Sequence, residues 1–154
     1  MFRVTKLSGF TFIGLLMVIA ISGIALAGVG IVWHQSAQRE RESELLYIGD
    51  QYSKAISSYY LSSPTNPKQY PKSLEALILD KRFQNKKRHL RKLYPDPMTH
   101  GKPWGLIKQQ DQIVGIYSTS KETPIKTSQF QPPYEGFAEA KTYSDWKFVP
   151  NVSN

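Results

Sequence analysis

The chain has 154 residues, no cysteine, and 20 basic against 12 acidic side chains. This length allows one small domain beside whatever the N-terminus forms. Without cysteine there is no disulfide framework, no thiol nucleophile and no cysteine-based metal site, and the basic excess suits anionic partners without naming one.

The N-terminus combines a short basic leader with a long apolar run. Residues 1–9 carry two cations, Arg3 and Lys6, and residues 10–33 contain no ionisable side chain. A helix over that run rises about 36 Å at about 1.5 Å per residue, enough to cross a hydrocarbon core of about 30 Å. The pattern therefore predicts a membrane-spanning segment, and the cations before it predict a cytoplasmic N-terminus.

Three interpretations of this N-terminus compete. A secretory signal has a shorter apolar run followed by a small-residue cleavage site, and no such site follows Trp33 before the charges begin. A plain single-span anchor fits the hydropathy equally well. The third interpretation depends on the residues around the end of the leader, Lys6-Leu7-Ser8-Gly9 followed by Phe10-Thr11-Phe12-Ile13.

This junction and the aliphatic block after it resemble the class III leader of type IV pilins and type II secretion pseudopilins. The resemblance implies cleavage between Gly9 and Phe10 by the prepilin peptidase, with N-methylation of the new Phe10 amine. It also implies that the apolar helices pack as the core of a filament. The implied partners are other pseudopilins or pilins, the prepilin peptidase, an inner-membrane assembly platform and the membrane itself.

One position departs from the family pattern. The family normally has Glu at the fifth position after the cut, where its carboxylate can pair with the terminal amine of a neighbouring subunit, and this chain has Gly14. Because a buried ammonium is costly without a partner, a repeating major subunit is the role that Gly14 weakens most. Either the chain is a minor subunit at a place without such a neighbour, such as the filament tip, or the position has drifted and other contacts suffice. We favour the minor subunit.

Small residues in the apolar run provide candidate contacts between helices. Gly23 and Ala27 are four residues apart, a spacing that lets helices approach closely, although it also arises by chance in apolar sequence. With Phe10 and Gly14 they mark the predicted assembly helix.

After Trp33 the pattern becomes amphipathic. Large apolar residues fall three or four apart and form one helical stripe: Leu45, Ile48, Tyr52, Ile56 and Tyr59. We predict one helix from about residue 10 to Leu61, ended by Ser62-Ser63-Pro64. Its outer part, residues 34–63, should pack the stripe against a small head, since an aromatic stripe at this spacing is usually core.

Residues 64–154 are predicted to form that head. A proline-rich loop precedes a short helix capped by Ser73. Residues 104–108 and 112–117 flank a polar turn and predict an antiparallel hairpin, and an irregular stretch then leads to a final strand at residues 145–149. The predicted fold class is α+β: a long N-terminal helix, membrane-spanning in its first half and amphipathic in its second, packed on a small antiparallel sheet.

Two short motifs in the head also resemble type II secretion pseudopilins. They are Tyr70-Pro71 leading into residues 73–77, and Tyr94-Pro95-Asp96-Pro97 ahead of Trp104-Gly105. Many true pilins carry a disulfide near the C-terminus, so the lack of cysteine favours the secretion system as well.

No catalytic constellation is evident, and we predict that the chain is not an enzyme. The histidines, His34, His89 and His100, lack the spacing of metal ligands, and a lone histidine near Lys and Arg is usually solvated. Major pseudopilins of the secretion type bind calcium in a C-terminal loop. Here the acidic residues are scattered, whereas hard cations need a dense set of oxygen ligands. No cofactor is therefore predicted, although a calcium site built partly from backbone carbonyls stays open.

The sharpest candidate binding site is a run of cations that we call the basic segment, residues 81–92. Cations at this density hold phosphates, which predicts salt-dependent DNA binding of the kind that competence pilins show. Charge runs are usually solvated, so a solvated helix face or a surface paired with acidic neighbours is the weightier interpretation. The candidate anion-binding residues are Lys86, Lys87, Arg88, Arg91 and Lys92.

The resemblance implies a minor pseudopilin, a structural subunit of a type II secretion-like pseudopilus in protein secretion. We expect it to be single-pass in a bacterial inner membrane, with its head in the periplasm. The alternative is a minor type IV pilin that binds DNA for uptake through the basic segment.

Overall fold

The computed structural model describes the backbone of residues 8–152 and the side chains of residues 11–24 and 33–152. The chain divides into two compact units, Met1–Gln38 and Arg39–Asn154. Most of the predicted leader lies outside the described residues, and so do the side chains of Phe10 and Ala27.

Helix α1, Ser8–Leu61, begins in the first unit and ends in the second. The amide of Ser62 still donates to the carbonyl of Ser58 at 3.0 Å, and the amide of Ser63 donates to Tyr60 at 3.1 Å. The last turn tightens in this way just before Pro64, because the residue that precedes a proline is disfavoured in the helical conformation. The predicted end of the helix at Leu61 agrees with the observed one.

The prediction of a membrane-spanning half is wrong. Across the residues that the structure describes, no helix combines the length and the apolar character needed to cross a bilayer. The same finding overturns the single-pass inner-membrane location and the periplasmic head that were predicted from the span.

The second unit is α+β, with a three-stranded antiparallel sheet in the order β1-β2-β3. Strands β1, Gly105–Gln109, and β2, Gln112–Tyr117, form the predicted hairpin. The two residues between them, Gln110 and Asp111, both have positive φ, which gives the turn the twist that a two-residue hairpin needs. Strand β3 is only Lys147–Phe148, shorter than predicted, because a 3-10 helix at Tyr143–Asp145 occupies the chain just before it.

The predicted stripe of α1 forms one side of the core. All five of its residues are buried, and Ile113 and Ile116 of β2 and Phe148 of β3 belong to the same cluster. Gly49 lies on this side of the helix, where a Cβ would overlap the ring of Phe148. The glycine therefore lets the helix and β3 approach closely.

The remaining helices of the described head are short. Helix α2, Glu75–Ile78, has Leu74 rather than the predicted Ser73 at its N-cap, without a side-chain cap. A 3-10 helix at Glu135–Glu139 lies in the stretch predicted to be irregular. The basic segment consists of turns and bends around a bridge between Asp80 and Lys87, so the solvated helix face considered for it is wrong.

Candidate functional site

The described start of α1 exposes apolar side chains on every face. The large apolar residues between residues 12 and 24 range in exposure from 50% at Leu16 to 76% at Ile24. At 3.6 residues per turn, consecutive positions such as Leu15 to Ile19 surround the helix axis. A helix that is apolar all round is normally covered by other apolar surface. This part of the chain therefore has the character of a packing element that lacks its neighbours.

The predicted assembly residues lie on this stretch in part. Gly9 contributes backbone to the first turn of α1, while the side chains of Phe10 and Ala27 fall outside the described residues. A Cβ built at Gly14 or Gly23 meets no described atom within 4 Å. Contacts within the described chain therefore do not require glycine at either position.

The basic segment begins with a loop that closes on itself. The amide of Asp80 donates to the carbonyl of Lys87 at 3.0 Å. Beyond the loop, the amides of His89 and Leu90 both donate to the carbonyl of Leu77 in α2, at 2.8 and 2.9 Å. Leu90 is buried in the core, so the segment is fixed to the head at both sides of the loop.

A buried carboxylate organises the loop from inside. The side chain of Asp80 is fully buried and accepts hydrogen bonds from Arg82 Nε at 2.9 Å and Arg82 Nη2 at 2.7 Å. Arg82 Nη2 also donates to the carbonyl of Tyr59 at 2.8 Å, and the guanidinium lies 3.5 Å above the Tyr59 ring. Burial opposes ionisation of Asp80, but the Arg82 hydrogen bonds outweigh it and lower the pKa of this carboxyl to about 2. The carboxylate stays charged and holds Arg82, which bonds Tyr59 of α1.

His89 completes this cluster. Its side chain is fully buried, with Nε2 3.2 Å from Asp80 Oδ2 and Nδ1 2.8 Å from Ser58 Oγ. Burial lowers the pKa of His89, and the neighbouring Asp80 opposes the shift only in part. A neutral ring that donates from Nε2 to Asp80 and accepts from the Ser58 hydroxyl satisfies both contacts. The expectation that a histidine among lysines and arginines is solvated is wrong for His89.

The structure divides the five predicted anion-binding residues into two groups. Lys86 and Lys87 line an open surface hollow of about 580 Å³ together with Arg82, Phe83, Gln84 and Asn85. Lys87 Nζ also donates to Ser62 Oγ at 2.8 Å. The other three, Arg88, Arg91 and Lys92, are exposed but lie outside the hollow.

Two further acids of the second unit, Glu42 and Asp96, are buried and were not among the predicted site residues. Glu42 accepts from the amides of Ile125 and Lys126 at 2.8 and 3.0 Å and from the hydroxyl of Tyr143 at 2.7 Å. Asp96 accepts from the amide of Met98 and, at 2.7 Å, from the hydroxyl of Ser118. Both hold irregular segments in place. Glu42 sits among charged residues, a context typical of solvent exposure, whereas the Asp-Pro turn gave a local signal for Asp96.

Metal binding finds no support in the described part of the chain, where no group of three or more His, Cys, Asp or Glu side chains could hold an ion. Function must be inferred from the apolar surface and the basic segment themselves. No protein-family model, no curated protein and no solved structure matches this chain.

Proposed function

We propose that this chain is a minor pseudopilin, a structural subunit of a type II secretion-like pseudopilus. The observation that carries the proposal is the exposed apolar surface around residues 12–24 of α1. Such a surface is stabilised when equivalent helices cover it, since burying a large apolar side chain contributes about 1.5–3 kcal/mol. The resemblance of the leader to prepilins supplies the kind of neighbour: other subunits with the same apolar N-terminal helix.

In this role the chain is cut between Gly9 and Phe10 by a prepilin peptidase, and the new amine is methylated. The apolar start of α1 then packs among the corresponding helices of neighbouring subunits. The second unit has its own hydrophobic core, so it folds without help from that packing.

Gly14 favours a minor over a major subunit. Residues 11–24 contain no carboxylate, so the helix offers no partner to a neighbour's terminal amine. A Cβ added at Gly14 meets no described atom within 4 Å. The Gly14→Glu substitution should therefore be tolerated and should raise the number of copies that enter each filament, a ratio that quantitative mass spectrometry of purified filaments measures.

Site-directed photo-crosslinking in the native cells tests the assembly role. The chain has no cysteine, so Ile19→Cys provides a unique attachment point for a benzophenone on the exposed apolar surface. We expect adducts with proteins whose own N-termini carry a basic leader, a Gly and then Phe-Thr before an aliphatic block.

Thr127→Cys, an exposed position of the second unit, is the matched control for labelling. Adducts from position 19 that contain only unrelated proteins, or no protein at all, would contradict the proposal. An equal yield of the same adducts from position 127 would also argue against a helix-specific contact.

The second candidate function is a minor type IV pilin that binds DNA for uptake. The observation that favours it is the exposure of Lys86, Arg88, Arg91 and Lys92 on one short segment with no acidic residue inside it. We expect the double substitution Lys86→Glu with Arg88→Glu to abolish DNA retention. Lys87 is left unchanged because its side chain also bonds Ser62.

The exposed pair Lys102→Glu and Lys141→Glu makes the same change in net charge elsewhere and is the control. DNA retention that is lost only in the first pair supports this candidate. Unchanged DNA binding with impaired secretion removes it and favours the pseudopilin.

A further inference from the structure

We propose that the hollow at the tip of the basic segment binds single-stranded nucleic acid, with the ring of Phe83 stacking on a base. This inference rests on the second proposed function, DNA binding by the same segment, and specifies the ligand class of that site. The hollow is lined by an aromatic ring, cations and two side-chain amides: Phe83, Arg82, Lys86, Lys87, Gln84 and Asn85.

The hollow is held in shape before any ligand arrives. Arg82 is fixed by the buried Asp80 carboxylate and by the carbonyl of Tyr59, and the backbone bond between Asp80 and Lys87 closes the loop at its base. Lys87 is held in addition by Ser62. A site that is already ordered loses little conformational entropy when it binds.

Phe83 is only half-buried, although a phenyl ring is normally found in the core. Lys87 Nζ lies over this ring at 5.1 Å from its centroid, and the Arg82 guanidinium carbon lies over it at 6.0 Å. An aromatic ring with cations close to it is the combination that single-strand binding proteins use, because the ring stacks on a base while the cations hold the backbone phosphates.

The charged side chains within the basic segment are all cationic. Residues 81–92 contain no acid, and the adjacent Asp80 is buried and already paired with Arg82. Lys86 lines the hollow, Lys81 and Arg88 flank its residues in the sequence, and all three are exposed and can contact phosphates. The amides of Gln84 and Asn85 both donate and accept hydrogen bonds, as the edge of an unpaired base requires.

A single strand fits these features better than a duplex or an acidic protein. In a duplex the bases are stacked on each other, so only the cations would find partners and Phe83 would contribute nothing. The carboxylates of an acidic protein would likewise use the cations alone. Phe83 therefore distinguishes a single strand from the other two occupants.

Fluorescence anisotropy with the full chain in mild detergent tests the inference. The probes are a labelled oligothymidylate of about 20 nucleotides, longer than the roughly 4–16 nucleotides that one small site covers, a duplex of the same length, and labelled polyglutamate. We expect the single strand to bind most tightly, with a steep loss of affinity between about 0.05 M and 0.2 M salt.

The variant Phe83→Leu keeps an apolar side chain and removes the stacking face. We expect it to weaken single-strand binding by about tenfold and to leave duplex binding unchanged. Tyr47→Leu, which removes an aromatic ring that is 61% exposed elsewhere on the second unit, is the matched control and should change neither.

The outcomes distinguish failure of the single-strand site from failure of the proposed DNA-binding function. Duplex binding at least as tight as single-strand binding, or an equal effect of Phe83→Leu on both, overturns the single-strand site and leaves DNA binding standing. Polyglutamate binding as tight as the oligonucleotide overturns it in favour of an acidic protein. No binding of any nucleic acid overturns both proposals.

Discussion

Asp80 holds the two side chains that attach the basic segment to α1. Its buried carboxylate accepts hydrogen bonds from Arg82 at the start of the segment and from His89 towards its end. Arg82 in turn bonds Tyr59, and His89 bonds Ser58. Such a cluster stabilises the fold only while every partner is present, because removing one partner leaves the others buried without a compensating charge or hydrogen bond. Two residue-scale predictions follow from that asymmetry.

The first concerns Arg82. The Arg82→Gln substitution removes the cation that faces a fully buried carboxylate. We expect it to lower the free energy of unfolding by about 3 kcal/mol. Urea unfolding followed by the fluorescence of the buried Trp104 and Trp146 measures it. Arg91→Gln, at an exposed position of the same segment, should change the value by less than about 0.5 kcal/mol; equal effects would show that Arg82 is not specially placed.

The second concerns the pH dependence of stability. His89 has an ordinary pKa of 6.5, and the folded chain lowers it through burial, with Arg82 and Lys87 adding repulsion against Asp80's attraction. Below pH 6.5 the unfolded chain therefore binds more protons than the folded chain, and the free energy of unfolding falls as the pH decreases. Asp80 causes a further loss of unfolding free energy as the pH falls from 3.8, the ordinary pKa of its carboxyl, towards its folded pKa of about 2.

Unfolding curves measured at a series of pH values test this assignment. His89→Gln removes the titrating ring, so the decline just below pH 6.5 should be shallower in the variant than in the natural chain. The loss at lower pH that belongs to Asp80 should remain. Identical slopes in the two proteins would assign the dependence to another group.

At the scale of elements, the contact between α1 and β3 depends on an absent side chain. A Cβ at Gly49 would overlap the ring of Phe148, which is itself fully buried. We expect Gly49→Ala to destabilise the second unit by about 1–3 kcal/mol, despite the better helix propensity of alanine. Thermal unfolding measures this. Gly136→Ala, where no described atom lies within 4 Å of the added Cβ, is the control and should be neutral; a neutral Gly49→Ala would contradict the close packing.

The C-terminal part of the head is joined to α1 by Glu42. The hydroxyl of Tyr143 donates to this buried carboxylate at 2.7 Å from a position 101 residues away. We expect Tyr143→Phe to cost about 1.5–3 kcal/mol, the usual contribution of a hydrogen bond to a charged group. Tyr47→Phe, at a largely exposed ring, should cost almost nothing. Equal unfolding free energies for the two variants would show that the bond contributes little.

Sequence patterns within a few residues of each other predicted the long helix and the hairpin correctly. The stripe of α1 and the hairpin with its polar turn were evident because periodicity and turn residues report directly on helix and strand. The final strand was predicted too long, since the pattern gave no sign of the 3-10 helix before it. The membrane-spanning half was wrong because it was inferred from hydropathy over residues 10–33 alone.

The candidate site was less predictable than the fold. The cations of the basic segment are visible in the sequence, but their organisation depends on contacts between distant residues. Arg82 bonds Tyr59, and His89 bonds Ser58 on α1, pairs separated by 23 and 31 residues. No single-sequence pattern encodes such pairs. The sequence does place one aromatic residue, Phe83, among these cations, but a single ring is too sparse a pattern to predict base stacking.

At the scale of the whole molecule, the two units differ in how much of their apolar surface is buried. The second unit, Arg39–Asn154, buries its own core, whereas the described apolar side chains of the first unit remain exposed. Assembly with similar helices would bury the exposed apolar side chains of the first unit without altering the core of the second. In the proposed function, cleavage between Gly9 and Phe10 precedes that assembly.

Intact mass and N-terminal sequencing of the full chain, produced with and without a prepilin peptidase, test this central claim most directly. We predict a mature chain that begins at Phe10 with a methylated amine, and only when the peptidase is present. A chain that keeps residues 1–9 while the same peptidase processes a control prepilin would contradict the account.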